Sequence, residues 1–176
     1  MQKRKFSTTA LAEAGMAIAL SGILHMIIIW QQPQGGRVTA ASMVPLIFLA
    51  LRRGPGVGLT AGLVYGLANY MQDPYFVHPV QFLLDYPVPF MLLGLAGFFR
   101  RWPVVGVVVA IAGRFASHVA SGAVFFASYA PKGMNPWVYS VGYNATYLVP
   151  ELIVSMIVIV ALWRMPAVSR GIGIDS

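Results

Sequence analysis

The placement of basic residues constrains this chain more than any other feature. Lys3, Arg4 and Lys5, then Arg52 and Arg53, then Arg100 and Arg101, then Arg164 each stand at the edge of a long apolar stretch, and they recur at every second edge. The edges between them hold turn-rich, weakly charged segments over residues 31–37, 72–78 and 129–142. Short loops that stay in the cytoplasm collect Lys and Arg, so this rhythm sets an orientation. It predicts an all-α integral membrane protein: a bundle of six transmembrane helices with both termini in the cytoplasm, multi-pass in the plasma membrane.

Composition agrees. A chain that is 58% hydrophobic and 10% charged, with a mean hydropathy of +0.72, belongs to a bilayer rather than to a soluble core. The net charge of +7 would otherwise suggest nucleic acid. However, nine of the twelve basic residues (Lys3, Arg4, Lys5, Arg52, Arg53, Arg100, Arg101, Arg164 and Arg170) fall at expected cytoplasmic positions. They serve topology first and attraction to anionic membrane lipid second, and no nucleic-acid partner is expected. The absence of cysteine excludes disulfides, thiol chemistry and Cys-based metal sites. The basic start and first apolar run have the outline of a signal peptide, but the run continues to Trp30 without a small-residue cleavage pattern and reads as the first helix.

The helices are expected near residues 10–30, 40–51, 54–70, 80–99, 103–126 and 143–163 of a single membrane domain, 1–176. The second is short. At 1.5 Å per residue it covers about 18 Å of a hydrocarbon core about 30 Å thick. The polar, glycine-rich loop 31–39 before it therefore has two readings. Either it dips inward and covers a pocket from outside, or it is a mobile surface loop over a tilted helix. Gly54, Gly58, Gly62 and Gly66 on the third helix suit close helix packing, and Pro79, Pro87 and Pro89 loosen the outer end of the fourth. No internal repeat supports an inverted-repeat transporter. There is no G-x-x-x-x-G-K-[ST] loop, so this chain is not expected to hydrolyse ATP. No H-E-x-x-H, G-x-S-x-G or paired-carboxylate pattern supplies a catalytic residue, a cofactor site or a metal site.

Ionisable groups inside spans cost roughly 2.5–3.5 kcal/mol each at a helix centre, so each needs a reason. Asp85 lies 14 residues above Phe99, and His118 lies 15 above Pro103. Both are therefore about 21–23 Å from the cytoplasmic end. Asn144 is also near the outer end of its span. The three converge where a pocket open to the outside would lie. Tyr75, Tyr86, Phe125, Phe126, Tyr129, Trp137, Tyr139 and Tyr143 cluster at the same level; about half suit an interfacial aromatic belt. A carboxylate among aromatic faces is also a receptor for an organic cation. Plainer roles stay open: Asp85 paired with Arg114, His118 as a packing residue, and Asn144 as a helix cap. His25 and His78 read as structural or interfacial, and Glu13 and Glu151 as facing partner helices. The small-residue stripe of Gly15 and Ala19 serves either internal packing or docking of a separate membrane subunit.

The stretches PQGG (33–36), HPVQFLLDY (78–86), SHVASGAVFF (117–126), YAPKG (129–133) and YSVGYNATY (139–147) together make the chain closely resemble the thiamine-specific substrate-binding component, or S-component, of energy-coupling factor vitamin importers. The resemblance covers nearly the whole chain. It implies a six-helix bundle that binds thiamine from outside and works with a transmembrane coupling subunit and two ATP-hydrolysing subunits. Asp85 matches the family's acidic pocket residue. His118, Gly122, Tyr139, Asn144 and Tyr75 match pocket-lining positions; Phe126 stands where some members have Trp, and Tyr86 adjoins the acid. Gly15 and Ala19 match the docking face for the coupling subunit. The competing readings are a carrier for another heterocyclic vitamin, a membrane enzyme using Asp85 and His118, and a purely structural membrane subunit.

Overall fold

The computed structural model describes residues 7–165. The basic cluster of residues 3–5 and Arg170 lie outside them. Helix α1 (Thr8–His25) starts where the Ser7 hydroxyl accepts the Ala10 N–H at 3.2 Å. A short antiparallel hairpin follows, β1 (Ile28–Gln31) against β2 (Arg37–Thr39), with Trp30 opposite Val38. Next come α2 (Val44–Arg53) and α3 (Pro55–Gln72), hinged at Gly54, whose φ of 91° suits glycine. Helices α4 (Pro79–Asp85) and α5 (Pro87–Leu92) continue into a 3-10 segment, Leu93–Phe99. Helix α6 (Pro103–Phe125) is followed by a 3-10 turn, Ala127–Tyr129, and then α7 (Pro136–Trp163).

Three of these elements depart from expectation, each for a local reason. The first helix stops at His25 rather than running to residue 30. Ile27, Ile28, Ile29 and Trp30 form a β-branched and aromatic run, which suits a strand once β2 is available to pair with it. The stretch 80–99 is broken at Tyr86, because Pro87 has no N–H to continue the ladder and disfavours helical backbone in the residue before it. The last helix begins at Pro136, seven residues before 143, because the Asn135 side chain accepts the Trp137 N–H at 2.8 Å and Pro136 fits the first helical position. Asn144 is therefore inside α7 and is not a cap.

Four helical stretches are long and apolar enough to cross a membrane: Thr8–His25, Pro79–Phe99, Pro103–Phe125 and Pro136–Trp163. Among the described residues, α2 and α3 fall outside that set. Helix α2 is instead the centre of the core, with Leu46, Ile47, Ala50 and Leu51 at most 1% exposed. Helix α3 packs backbone to backbone on α5: a Cβ at Gly62 would sit 2.1 Å from the Phe90 carbonyl oxygen. The exterior is apolar, with Leu20, Ile23, Val64, Val105, Ile153 and Ile157 exposed, as lipid contact requires and water does not favour.

Candidate functional site

A cavity of about 490 Å³ lies between the hairpin, the C-terminal end of α3, α4, α6 and α7. Asp85, Tyr86, His118, Gly122, Asn144, Tyr139, Tyr75 and Phe126 all line it. Asp85, His118 and Asn144, reckoned to one depth along their helices, thus meet in one place, beside the residues that the resemblance implies.

Asp85 is the last residue of α4. Its Oδ2 accepts from Gln81 Nε2 at 2.7 Å and from Ser121 Oγ at 2.9 Å, and its Oδ1 lies 3.2 Å from His118 Nδ1. With three groups satisfying the carboxylate and 19% of the side chain still exposed, it is held in place yet open to the cavity. The alternative pairing with Arg114 is not formed. Arg114 donates from Nε to His118 Nε2 at 3.3 Å and lays its guanidinium 4.3 Å from the centre of the Phe90 ring. His118 therefore contacts Asp85 rather than merely filling space.

The aromatic residues divide by role. Tyr75 lies 5.9 Å from Phe126, which stacks on Tyr129 at 6.2 Å, and Tyr139 stacks on Tyr143 at 6.2 Å. The nearby Tyr129 hydroxyl raises the Tyr75 phenol above its ordinary pKa, so Tyr75 remains a neutral donor at physiological pH. Tyr86 is a strut. Its hydroxyl accepts the Tyr75 N–H at 2.9 Å and donates to the Asp73 carbonyl at 2.8 Å, fixing the loop between α3 and α4. Asn144 donates to the Ser140 carbonyl at 2.8 Å and accepts from the Tyr147 hydroxyl at 2.6 Å. Gly122 lets α6 and α7 meet beside it, since a Cβ there would lie 2.3 Å from Ser140 Oγ.

Loop 31–39 is part of the wall. Gly36 N–H donates to the Tyr143 hydroxyl at 2.9 Å, and Gln32 bonds the Tyr143 carbonyl and the Thr146 hydroxyl. Thr39 donates from its N–H at 2.5 Å and its hydroxyl at 2.7 Å to Glu151 Oε1. Glu151 thus borders the cavity and grips the hairpin, instead of facing a partner helix. Glu13 does pair between helices, with Arg52 and Arg53. His25 also lines the cavity, whereas His78 caps α4 and stacks on Phe125.

Arg37, Asn69, Gln81 and Tyr147 line the site without having been singled out beforehand. Only Gln81 left a usable trace in the sequence, standing four residues before Asp85 on the same helix face. Arg37 pairs with Asp73 at 2.8 Å. Two guanidiniums, Arg37 and Arg114, face three carboxylates, Asp73, Asp85 and Glu151. Asp73 is paired with Arg37 and Glu151 with the donors of Thr39, which leaves Asp85 as the carboxylate that faces the cavity without an arginine partner. Gly15 and Ala19 lie elsewhere, on the exposed side of α1, where nothing stands within 4 Å of a Cβ built at Gly15. Internal packing does not explain that stripe.

Residues 11–169 match the thiamine transporter protein family (Thia_YuaJ). The thiamine transporter ThiT of Bacillus subtilis (strain 168) is 40% identical over 172 residues, covering 87% of this chain and 89% of that one. ThiT of Lacticaseibacillus paracasei is 28% identical over 137 residues, covering 66% and 68%. A solved structure of ThiT from Listeria monocytogenes superposes with a TM-score of 0.82 at 22% identity, over 91% of this chain and 96% of that one, and so has the same fold.

Proposed function

Because the chain belongs to the thiamine transporter protein family, we propose that it captures thiamine in the cavity around Asp85, as the substrate-binding subunit of an energy-coupling factor importer. The family consists of transporters, not enzymes, which sets aside an acid–base enzyme built on Asp85 and His118.

The observation that carries this reading is the Asp85 carboxylate, fixed by Gln81, Ser121 and His118 in an aromatic-walled cavity and free of any arginine partner. Thiamine joins a permanently cationic thiazolium to an aminopyrimidine. The cation suits a carboxylate and the faces of Tyr75, Phe126 and Tyr139, where cation–π attraction contributes about 0.5–2 kcal/mol per well-placed ring. The aminopyrimidine, with amino donors and ring acceptors of its own, suits the polar groups around Asp85 and Asn144, which Gly122 keeps close by letting α6 and α7 meet. Tyr86 acts through the wall it braces.

In this reading the six helices span the plasma membrane with both termini inside, and the cavity opens outward. Helix α2, enclosed by the others, crosses without meeting lipid along most of its length. The smooth patch at Gly15 and Ala19 receives a transmembrane coupling subunit, and two separate ATPase subunits supply the energy for a chain with no phosphate loop.

Calorimetric titration of the purified protein tests the ligand. Thiamine is expected to bind at one site below micromolar concentration, with an uncharged heterocyclic vitamin giving no heat. Binding of such a vitamin in place of thiamine would move the function to a different heterocycle and refute the proposal.

A further inference from the structure

Arg114 is a cation beside a site that suits a cation, and its hydrogen bonds explain why. A guanidinium has only donors. Its Nε–H points at His118 Nε2, 3.3 Å away, so that ring nitrogen must be an acceptor and carry no proton. The proton of a neutral His118 then sits on Nδ1, which lies 3.2 Å from Asp85 Oδ1 and donates to it. Donors run in one direction, from Arg114 through His118 to Asp85.

We infer that Arg114 is a positioning residue of the thiamine site: it holds His118 as the neutral Nδ1–H tautomer and thereby keeps the charge of Asp85 available to a cationic ligand. The inference rests on the functional reading above only for the identity of that ligand. A protonated His118, with its ring 3.2 Å from Asp85, would form a closed ion pair and cancel the charge that Asp85 offers to the cavity. The positive charge of Arg114 lies on the far side of the imidazole. It is stacked on Phe90 of α5 and balanced across the cavity by Glu151 of α7.

The groups around His118 are few. Asp85 meets it from α4, Arg114 from its own helix one turn away, and Tyr147 from α7, edge-on at 6.4 Å between ring centres. Asp85 and Arg114 are the charged groups that act on it directly. Removing the Arg114 donor frees Nε2 to take a proton.

The tautomer can be read directly in ligand-free protein carrying 15N-labelled histidine. The chain has three histidines, and His118→Gln assigns the third by loss of its signals. A long-range 15N–1H spectrum should show a protonated Nδ1 and a bare Nε2 for His118 between about pH 5.5 and 7.5, the range where an ordinary histidine changes charge. An Nε2–H tautomer or an imidazolium in that range would overturn the assignment.

Thiamine titrations over the same range give the second readout. Wild-type affinity should stay flat. Arg114→Met should bind progressively more weakly on acidification, by up to about tenfold per pH unit, because a proton must leave His118 before the cation binds. Arg114→Lys, which restores a donor, should return the profile to flat. An Arg114→Met profile as flat as wild type would refute the role. Because the spectra need no ligand, a protein that ignores thiamine would sink the functional reading and leave this one to be judged by its tautomer.

Discussion

Replacing Asp85 with asparagine is the sharpest test of charge recognition, because the amide nearly matches the carboxylate in shape. The amide oxygen can take over the donors at Oδ2, Gln81 at 2.7 Å and Ser121 at 2.9 Å. The amide NH2 then faces the His118 Nδ1–H, donor against donor, and that contact at 3.2 Å is lost. Two effects follow. Loss of one internal hydrogen bond lowers stability by about 1 kcal/mol. Loss of the charge acts on the ligand separately. Two unit charges 4 Å apart at an effective dielectric near 20 attract by about 4 kcal/mol, which is an upper bound. The Asp85 side chain is 19% exposed toward an open cavity, so water screens part of that attraction. A charge-assisted hydrogen bond, about 1.5–3 kcal/mol, is the better guide. Asp85→Asn should therefore weaken thiamine binding about ten- to hundredfold by calorimetry. The uncharged aminopyrimidine half of thiamine, titrated alone, should lose much less. Equal losses for both ligands, or none for thiamine, would refute charge recognition at this residue.

Two further substitutions probe surfaces away from the carboxylate. Gly15→Trp lies on the exposed side of α1 with nothing near it, so isolated protein should bind thiamine normally while cellular uptake falls; undiminished uptake would remove the docking role. Gly62→Ala would place a Cβ 2.1 Å from the Phe90 carbonyl oxygen, forcing α3 off α5 at a cost of about 1–3 kcal/mol, so the melting temperature in detergent should drop by several degrees. An unchanged melting temperature would mean that the two backbones are not in contact.

What the sequence made legible depended on whether a feature was local. Counting residues inward from Phe99 and from Pro103 placed Asp85 and His118 at one depth, and they meet at 3.2 Å. That worked because helix rise is constant and basic residues mark where to begin. The hairpin was not legible. Residues 27–31 are as apolar as a helix end, and only β2 and the bonds from Thr39 to Glu151, 112 positions away, decide their conformation. Arg114 misled for the opposite reason. Charge alone pairs it with Asp85, yet Asp85 is already occupied by Gln81, Ser121 and His118, and the arginine turns to the histidine one helical turn along.

The break in the fourth helical stretch ties fold to function. Pro87 interrupts the backbone ladder after Asp85, so carbonyls near the end of α4 lose their helical partners. Helix α6 supplies replacements from one polar face: Ser117 donates to the Leu84 carbonyl at 2.7 Å, while His118 and Ser121 reach the two oxygens of Asp85. Apolar packing could hold α4 against α6 equally well, but it would leave the carboxylate without donors. The short helix is instead anchored through its binding group. Affinity and local stability therefore share the same hydrogen bonds, and a change at Ser117, His118 or Ser121 moves both together.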